Sequence, residues 1–211
     1  MHELVDPSLH RRLVRVLEIS KDRGFLGPGP VEDHVAHAAA FLEVLGDLNP
    51  KSVADLGSGG GIPGLVLAAA LPSVRFALID GMEKRTTFLN EAVDLLGLTN
   101  TEIVCARAEE LGHNAAYRET YQMVVARSFG PPAVLAECAS PLLLPGGTLI
   151  VSEPPHSEAD RWPASGLAKL GLRKVETVRV TGVRLAILEK TAPLDSRWPR
   201  RVGIPAKRPV F

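Results

Sequence analysis

The chain is poor in the features that fix a protein's class by bulk composition. It has two cysteines in 211 residues, Cys105 and Cys138, far from any CxxC spacing. That excludes a disulfide framework or a thiolate metal centre, and each sits in an apolar-looking segment, so both are expected to be reduced, buried thiols. No charge of either sign prevails: Lys+Arg and Asp+Glu both number 24. No global field therefore draws the protein to nucleic acid or an anionic membrane, and a nucleic-acid partner would need a local basic patch. No apolar run approaches the ~20 residues needed to span a bilayer. The opening Met1-His2-Glu3-Leu4-Val5-Asp6 lacks a cationic stretch followed by an apolar one. A soluble, cytoplasmic protein is expected, and a monomer. His34 and His37 stand one helical turn apart, but no further ligand accompanies them, so no metal is expected.

What is present is an ordinary globular composition, 45 % hydrophobic, with enough length for one domain and a full core. Asp6 as N-cap and Pro7 at the first helical position announce a helix carrying Leu9, Leu13, Val16 and Leu17 at helical spacing. The cluster Gly27-Pro28-Gly29-Pro30 breaks the chain before a second helix with Val35, Ala38, Ala39, Leu42 and Leu45 on one side. Residues 1–49 thus read as an N-terminal helical cap, and residues 50–211 as the main domain with a basic C-terminal tail.

From Ser52 the pattern is strand then helix, repeated. Strands are predicted at Ser52–Leu56, Arg75–Ile79, Glu102–Cys105, Gln122–Ala126 and Thr148–Val151. Helices are predicted after Gly64, over Lys84–Leu96 closed by Gly97, and near Ala133–Ala139. Short apolar strands alternating with helices predict right-handed crossovers and a parallel sheet covered on both faces, a doubly wound α/β fold. The ending differs. Lys174–Val180 and Arg184–Lys190 are separated by only Thr181-Gly182-Val183, too short for a crossover helix, so they must pair antiparallel. The whole predicts a mostly parallel, seven-stranded sheet closed by an antiparallel hairpin, a layout associated with class I methyltransferases.

The loop Asp55-Leu56-Gly57-Ser58-Gly59-Gly60-Gly61-Ile62-Pro63-Gly64 carries so much glycine that its backbone can pass close to a ligand, while the next helix aims unpaired N–H groups into the same space. Gly59, Gly61 and Gly64 satisfy GxGxxG, and Asp80 ends the second strand where a dinucleotide fold places its ribose-binding acid. A nicotinamide dinucleotide would fit that much. Asp55 favours S-adenosylmethionine instead: a carboxylate at the end of the first strand suits the cationic end of a methionine moiety and is unwelcome beside a pyrophosphate. Asp80 can accept from both ribose hydroxyls, and Ala106-Arg107-Ala108-Glu109 follows the third strand where the sheet edge would meet an adenine. The blander alternatives are that Asp55 ties loop N–H groups and that Glu109 is an acidic helix start.

These motifs resemble the RsmG (GidB) family, which methylates guanine N7 of 16S ribosomal RNA with S-adenosylmethionine. The resemblance runs through Val53–Gly64, Ile79-Asp80, Lys84-Arg85-Thr86-Thr87-Phe88-Leu89, Arg107-Ala108-Glu109-Glu110 and Ala126-Arg127-Ser128-Phe129. It ends on Pro199-Arg200-Arg201-Val202-Gly203-Ile204-Pro205-Ala206-Lys207-Arg208-Pro209, the most specific stretch. It implies cofactor contacts from Gly57, Ile62, Ala108 and Glu109, alongside Asp55, Gly59 and Asp80. It also implies that Arg127 lies beside the methyl group, offering donors to a guanine edge, a phosphate or the cofactor carboxylate. The alternative for Arg127 is a structural ion pair. Arg127 and His34 are the expected catalytic residues, His34 facing the active site from the cap. Guanine N7 is a lone-pair nucleophile with no proton to lose, so no general base is required.

The tail holds Arg197, Arg200, Arg201, Lys207 and Arg208 without one acid, interleaved with Trp198 and Phe211. It reads either as an RNA footprint, with Arg200, Arg201, Lys207 and Arg208 on phosphates and Trp198 free to stack, or as an end whose prolines brace it. Two stretches depart from the family's pattern. Phe25-Leu26-Gly27-Pro28 and His34-Val35-Ala36-His37 replace its Asn-Leu-Thr and His-Asp-Ser, and Ser152-Glu153-Pro154-Pro155 replaces a Lys-Gly. An acidic turn there is expected to repel an RNA backbone. The other readings to weigh are a paralogue with another acceptor, a small molecule or a different RNA position; a non-catalytic S-adenosylmethionine-binding protein; and a dinucleotide oxidoreductase.

Overall fold

The computed structural model describes residues 6–156 and 160–211; the leader expectation for the opening residues falls mostly outside them. The chain forms two compact units, Met1–Cys105 and Ala106–Phe211. No helix among the described residues is long and apolar enough to cross a membrane.

The first unit runs α1 (Pro7–Asp22), α2 (Val31–Leu48), β1 (Ser52–Leu56), α3 (Gly64–Ala70), β2 (Arg75–Asp80), α4 (Glu83–Leu96) and β3 (Thr101–Cys105). Helix α1 starts as its sequence predicts: Asp6 accepts from the Ser8 and Leu9 N–H groups, and Pro7 needs no partner. Strands β1, β2 and β3 pair in parallel, Leu56 beside Ile79 and Asp80 beside Cys105. That register brings the ends of β1 and β2 level. Leu13, Val16 and Leu17 of α1 and Val35 and Ala38 of α2 are buried with Leu65, Val66, Leu78, Phe88 and Leu89 in one apolar cluster. The two N-terminal helices thus share a core with the strand-helix repeat, and each fully buried leucine contributes roughly 2 kcal/mol. Ala40 rather than Ala39 faces inward in α2.

The second unit runs α5 (Ala108–Leu111), β4 (Tyr121–Ala126), α6 (Pro132–Ala139), a 3-10 turn (Ser140–Leu142), β5 (Leu143–Glu153), α7 (Ala164–Lys169), β6 (Leu172–Val180), β7 (Val183–Lys190) and α8 (Ile204–Lys207). Strand β4 pairs with β5 in parallel, and β7 pairs antiparallel with both β5 and β6. Thr181 and Gly182 turn the hairpin at φ +45 and +87, both left-handed as a two-residue turn requires. Strand β5 begins five residues earlier than its apolar run suggests, because Leu143 pairs with Tyr121 before the ladder shifts past Gly146 and Gly147. The seven strands make the mostly parallel α/β fold with a C-terminal antiparallel hairpin that the pattern predicts.

One cysteine expectation is corrected. Cys138 is buried but Cys105, the last residue of β3, is exposed. A strand's end alternates out of the core whatever its neighbours' hydropathy. Burial pushes the Cys138 thiol far up, and Glu109 and Glu137 add to the shift, so it is an inert packing group.

Candidate functional site

Strand β1 hands over to the glycine loop at Leu56. The Gly57 and Ser58 amides both donate to the Ile79 carbonyl, at 2.8 and 3.0 Å, which hangs the loop on the end of β2. Gly57, Gly59 and Gly61 have φ of +77, +54 and +94. The turn therefore needs residues without a Cβ, and its inner surface is backbone. A Cβ on Gly64 would strike the Asp55 carboxylate and Leu78, so α3 begins as close to β1 as atoms allow.

Two buried acids brace this loop. Asp55, 1 % exposed, accepts the Gly64 N–H at 3.0 Å, the tie that the blander alternative predicts. Asp80, 5 % exposed, accepts the Gly59 N–H at 3.0 Å on Oδ2 and the Met82 N–H at 2.9 Å on Oδ1. Arg85 reaches the same Oδ2 only at 3.4 Å. A carboxylate offers about four lone-pair positions, so Asp80 keeps acceptor capacity for hydroxyls, and more if Arg85 withdraws. Ile62 is buried in the apolar cluster at the loop's far end. The loop also has a rear wall. Ser20 Oγ donates to the Gly60 carbonyl at 2.9 Å, and a Cβ on Gly60 would meet Ser20, Leu26 and the Phe25 carbonyl. His34, 6 % exposed, has Nε2 3.2 Å from the Gly27 carbonyl, where it pins the turn between α1 and α2.

In the second unit, Ala108 is buried and Glu109 half-buried at the start of α5. Glu109 Oε1 accepts the Gly203 N–H at 3.0 Å. Arg127 is half-buried just past the end of β4. Ser128 follows at φ +58, a left-handed conformation that costs a non-glycine residue about 1 kcal/mol and turns the chain sharply after Arg127.

Against this geometry, the profile of the GidB family, described as rRNA small subunit methyltransferase G, matches residues 29–166. The ribosomal RNA small subunit methyltransferase G of Rubrobacter xylanophilus is 39 % identical over 188 residues, covering 84 % of this chain and 72 % of the relative. That of Dehalococcoides mccartyi is 34 % identical over 178 residues, covering 81 % and 75 %. The chain belongs to this family. Its fold is similar to that of a Bacillus cereus O-methyltransferase solved with S-adenosylhomocysteine, at TM-score 0.61 and 14 % identity, covering 86 % of this chain and 91 % of that one. An S-adenosylmethionine-dependent methyltransferase from Aquifex aeolicus gives TM-score 0.53 at 19 % identity, covering 70 % and 87 %.

In the tail, which lies beyond the stretch matched by the family profile, the structure corrects two expectations. Trp198 is not free to stack: it is 8 % exposed, with the Arg197 and Arg200 guanidinium groups 5.4 and 5.5 Å from its ring centre. Arg200 is engaged too. Its Nε and Nη2 donate to the two Glu137 oxygens at 2.9 and 2.6 Å, and its backbone N–H adds a third bond at 2.8 Å. Glu137 is fully buried, and its hydrogen bonds hold the Arg200 guanidinium firmly cationic. Arg197, Arg201, Lys207 and Arg208 remain exposed, and Phe211 packs on Gly166 of α7.

Three anchors of this tail went unread. Arg118 donates to the Gly112, Trp198 and Leu194 carbonyls at 2.6, 2.7 and 2.9 Å, and His113 Nε2 lies 2.6 Å from the Pro199 carbonyl. Carbonyl partners some eighty residues away leave no local pattern. Glu137 did leave one: it is the single charge in the apolar helix Pro132–Ala139, which demands a buried cationic partner.

The acid expected in a turn after β5 is instead the last residue of that strand. Glu153 is 8 % exposed, accepts the Trp162 Nε1–H at 3.1 Å and pairs with Arg161 at 3.2 Å. Its charge is spent internally, which removes the predicted repulsion of an RNA backbone. At the opposite end of β5, fully buried Lys190 donates to Glu119 and to the Leu143 carbonyl at 2.7 and 2.8 Å. Burial lowers the Lys190 pKa against the opposing pull of Glu119, and the Lys190 hydrogen bond holds the Glu119 carboxyl below its ordinary range.

Proposed function

We propose that this chain transfers a methyl group from S-adenosylmethionine to guanine N7 of 16S ribosomal RNA in the small subunit. The observation that carries this reading is the family-matched glycine loop, whose open backbone is fixed on one side by Asp80 with lone pairs to spare. Loop and acid fit the ligand: Gly57 and Gly59 offer a side-chain-free surface, and Asp80 suits the ribose hydroxyls. Asp55 contributes by holding Gly64, and Ile62 by closing the loop's apolar end. Ala108 and Glu109 take the adenine. When bound, S-adenosylmethionine supplies a methyl carbon activated by its sulfonium.

The protein's own work is alignment. Guanine N7 brings its lone pair and gives up no proton, so Arg127 acts by orienting the acceptor or the cofactor carboxylate, and the Ser128 turn fixes where it stands. His34 assists from a distance by pinning the Gly27 turn. Arg201, Lys207 and Arg208 contact RNA phosphate, while Arg200 supports them from its bond to Glu137.

The deciding experiment incubates the protein with labelled S-adenosylmethionine and small subunits from cells lacking the enzyme. Label at guanine N7 of 16S RNA is the expected result, and Arg127→Ala should lower the rate at least a hundredfold. Label in small metabolites alone would refute the acceptor, and equal rates in both proteins would refute the role of Arg127.

A further inference from the structure

The first half of helix α1 carries a positive face that the tail-centred reading of RNA binding does not use, followed on the same side by the exposed acids Glu18 and Asp22. Arg11, Arg12 and Arg15 are all exposed, while Leu13, Val16 and Leu17 on the other side are buried. Arg11 and Arg15 are one turn apart, about 6 Å along the axis, with Arg12 between them. Among the described residues none of the three forms an ion pair, although Arg11 adds slightly to the Ser8 and Leu9 hydrogen bonds that lower the Asp6 carboxyl.

The stability of the helix asks little of this arrangement: the three arginines lie beyond its first turn, where the dipole gives them nothing, and Arg11 and Arg15 repel one another one turn apart. The exposed side of α2 shows the opposite character, with Glu32, Asp33, Glu43 and Asp47. In a chain of zero net charge, a cationic helix face is the local patch that a polyanion requires. The same helix is fixed to the cofactor loop, because Ser20 in its last turn donates to the Gly60 carbonyl. From Arg11 to Ser20 is about 14 Å of helix axis.

We propose that the Arg11-Arg12-Arg15 face of α1 is a docking surface for the phosphate backbone of the RNA substrate, and that α1 sets the distance between the docked strand and the glycine loop. This rests on the RNA-methyltransferase reading above. The arginines position the substrate and take no part in methyl transfer. Guanidinium groups suit the task because each can grip one phosphate with two donors.

The test is the full chain carrying Arg11→Gln, Arg12→Gln and Arg15→Gln together, with Lys174→Gln/Arg179→Gln on the exposed side of β6 as a control. Binding to 16S RNA is followed from 50 to 300 mM salt, and methylation of small subunits is measured alongside. The triple variant should lower the slope of log K against log salt by about 2 to 3, since each phosphate contact contributes about 0.9. Its KM for small subunits should rise at least tenfold with kcat within twofold. Its affinity for S-adenosylhomocysteine and its melting temperature should match those of the unaltered protein, and the control should bind RNA normally. An unchanged slope and KM in the triple variant, or an equal loss in the control, would overturn the proposal. If the unaltered chain neither binds nor methylates the RNA, the reading above fails and this one falls with it.

Discussion

The glycine loop of the first unit and the C-terminal tail of the second are the two most recognisable stretches of the chain, and they are built in opposite ways. The loop presents backbone, and the charges near it, Asp55 and Asp80, are buried braces whose partners are amide N–H groups. The tail presents charged side chains, yet Arg200 is committed to Glu137, and Arg118 of the preceding segment grips the tail's carbonyls. A charge in a motif is therefore evidence of a ligand only after the buried carboxylates around it have been counted.

The sharpest test of this contrast is Arg200→Ala. It strands a fully buried Glu137 carboxylate, so stability should fall by about 3 to 5 kcal/mol in denaturant unfolding, with little change in the salt slope of RNA binding. A lost slope with unchanged stability would return Arg200 to the phosphate contacts. On the loop side, Asp80→Ala removes the acceptor for Gly59 and Met82 and for the ribose. Calorimetry should show S-adenosylhomocysteine binding 10- to 100-fold weaker, the span of one or two charge-assisted hydrogen bonds at about 1.5 to 3 kcal/mol. Arg85→Ala, which releases the long contact to Asp80, should leave that affinity intact or improve it.

A smaller effect is expected of Gly64→Ala. The added methyl group meets Asp55 and Leu78, and overpacking of this kind costs about 1 to 3 kcal/mol, readable as a lowered melting temperature. The smallest concerns acid. Because the folded Glu119 carboxyl lies below its unfolded value of 4.5, the unfolded chain binds the extra proton. Its stabilisation is complete above that pH and is lost as pH falls through the folded value. Glu119→Gln should flatten the stability profile below about pH 4.5, and a profile as steep as that of the unaltered chain would discount the Lys190–Glu119 pair.

Much of the fold was legible because its signals are local. Asp6-Pro7 opens α1, Gly97 closes α4 with φ +70, and a two-residue turn leaves β6 and β7 no choice but to pair antiparallel. The backbone half of the loop was legible for the same reason. Bonds that join distant segments were not: Arg118 to the Trp198 carbonyl, Glu109 to the Gly203 amide, and Glu153 to Trp162 and Arg161. Sequence gives each of these side chains only a formal charge, and what that charge does is set by partners that only folding brings near. The exposure of Cys105 is the same lesson in small, since hydropathy of a segment does not say which way its last residue turns.

The seat of Ser20 against Gly60 bears on how this chain can be cut. A fragment trimmed to begin at β1 would keep every residue of the glycine motif and still lose the hydroxyl that holds it from behind, together with the Phe25-Leu26 surface on which Gly60 rests. The motif's glycines, chosen for freedom, would then have it in excess. For anyone shortening or grafting this enzyme, the cofactor signature begins some forty residues before its first glycine.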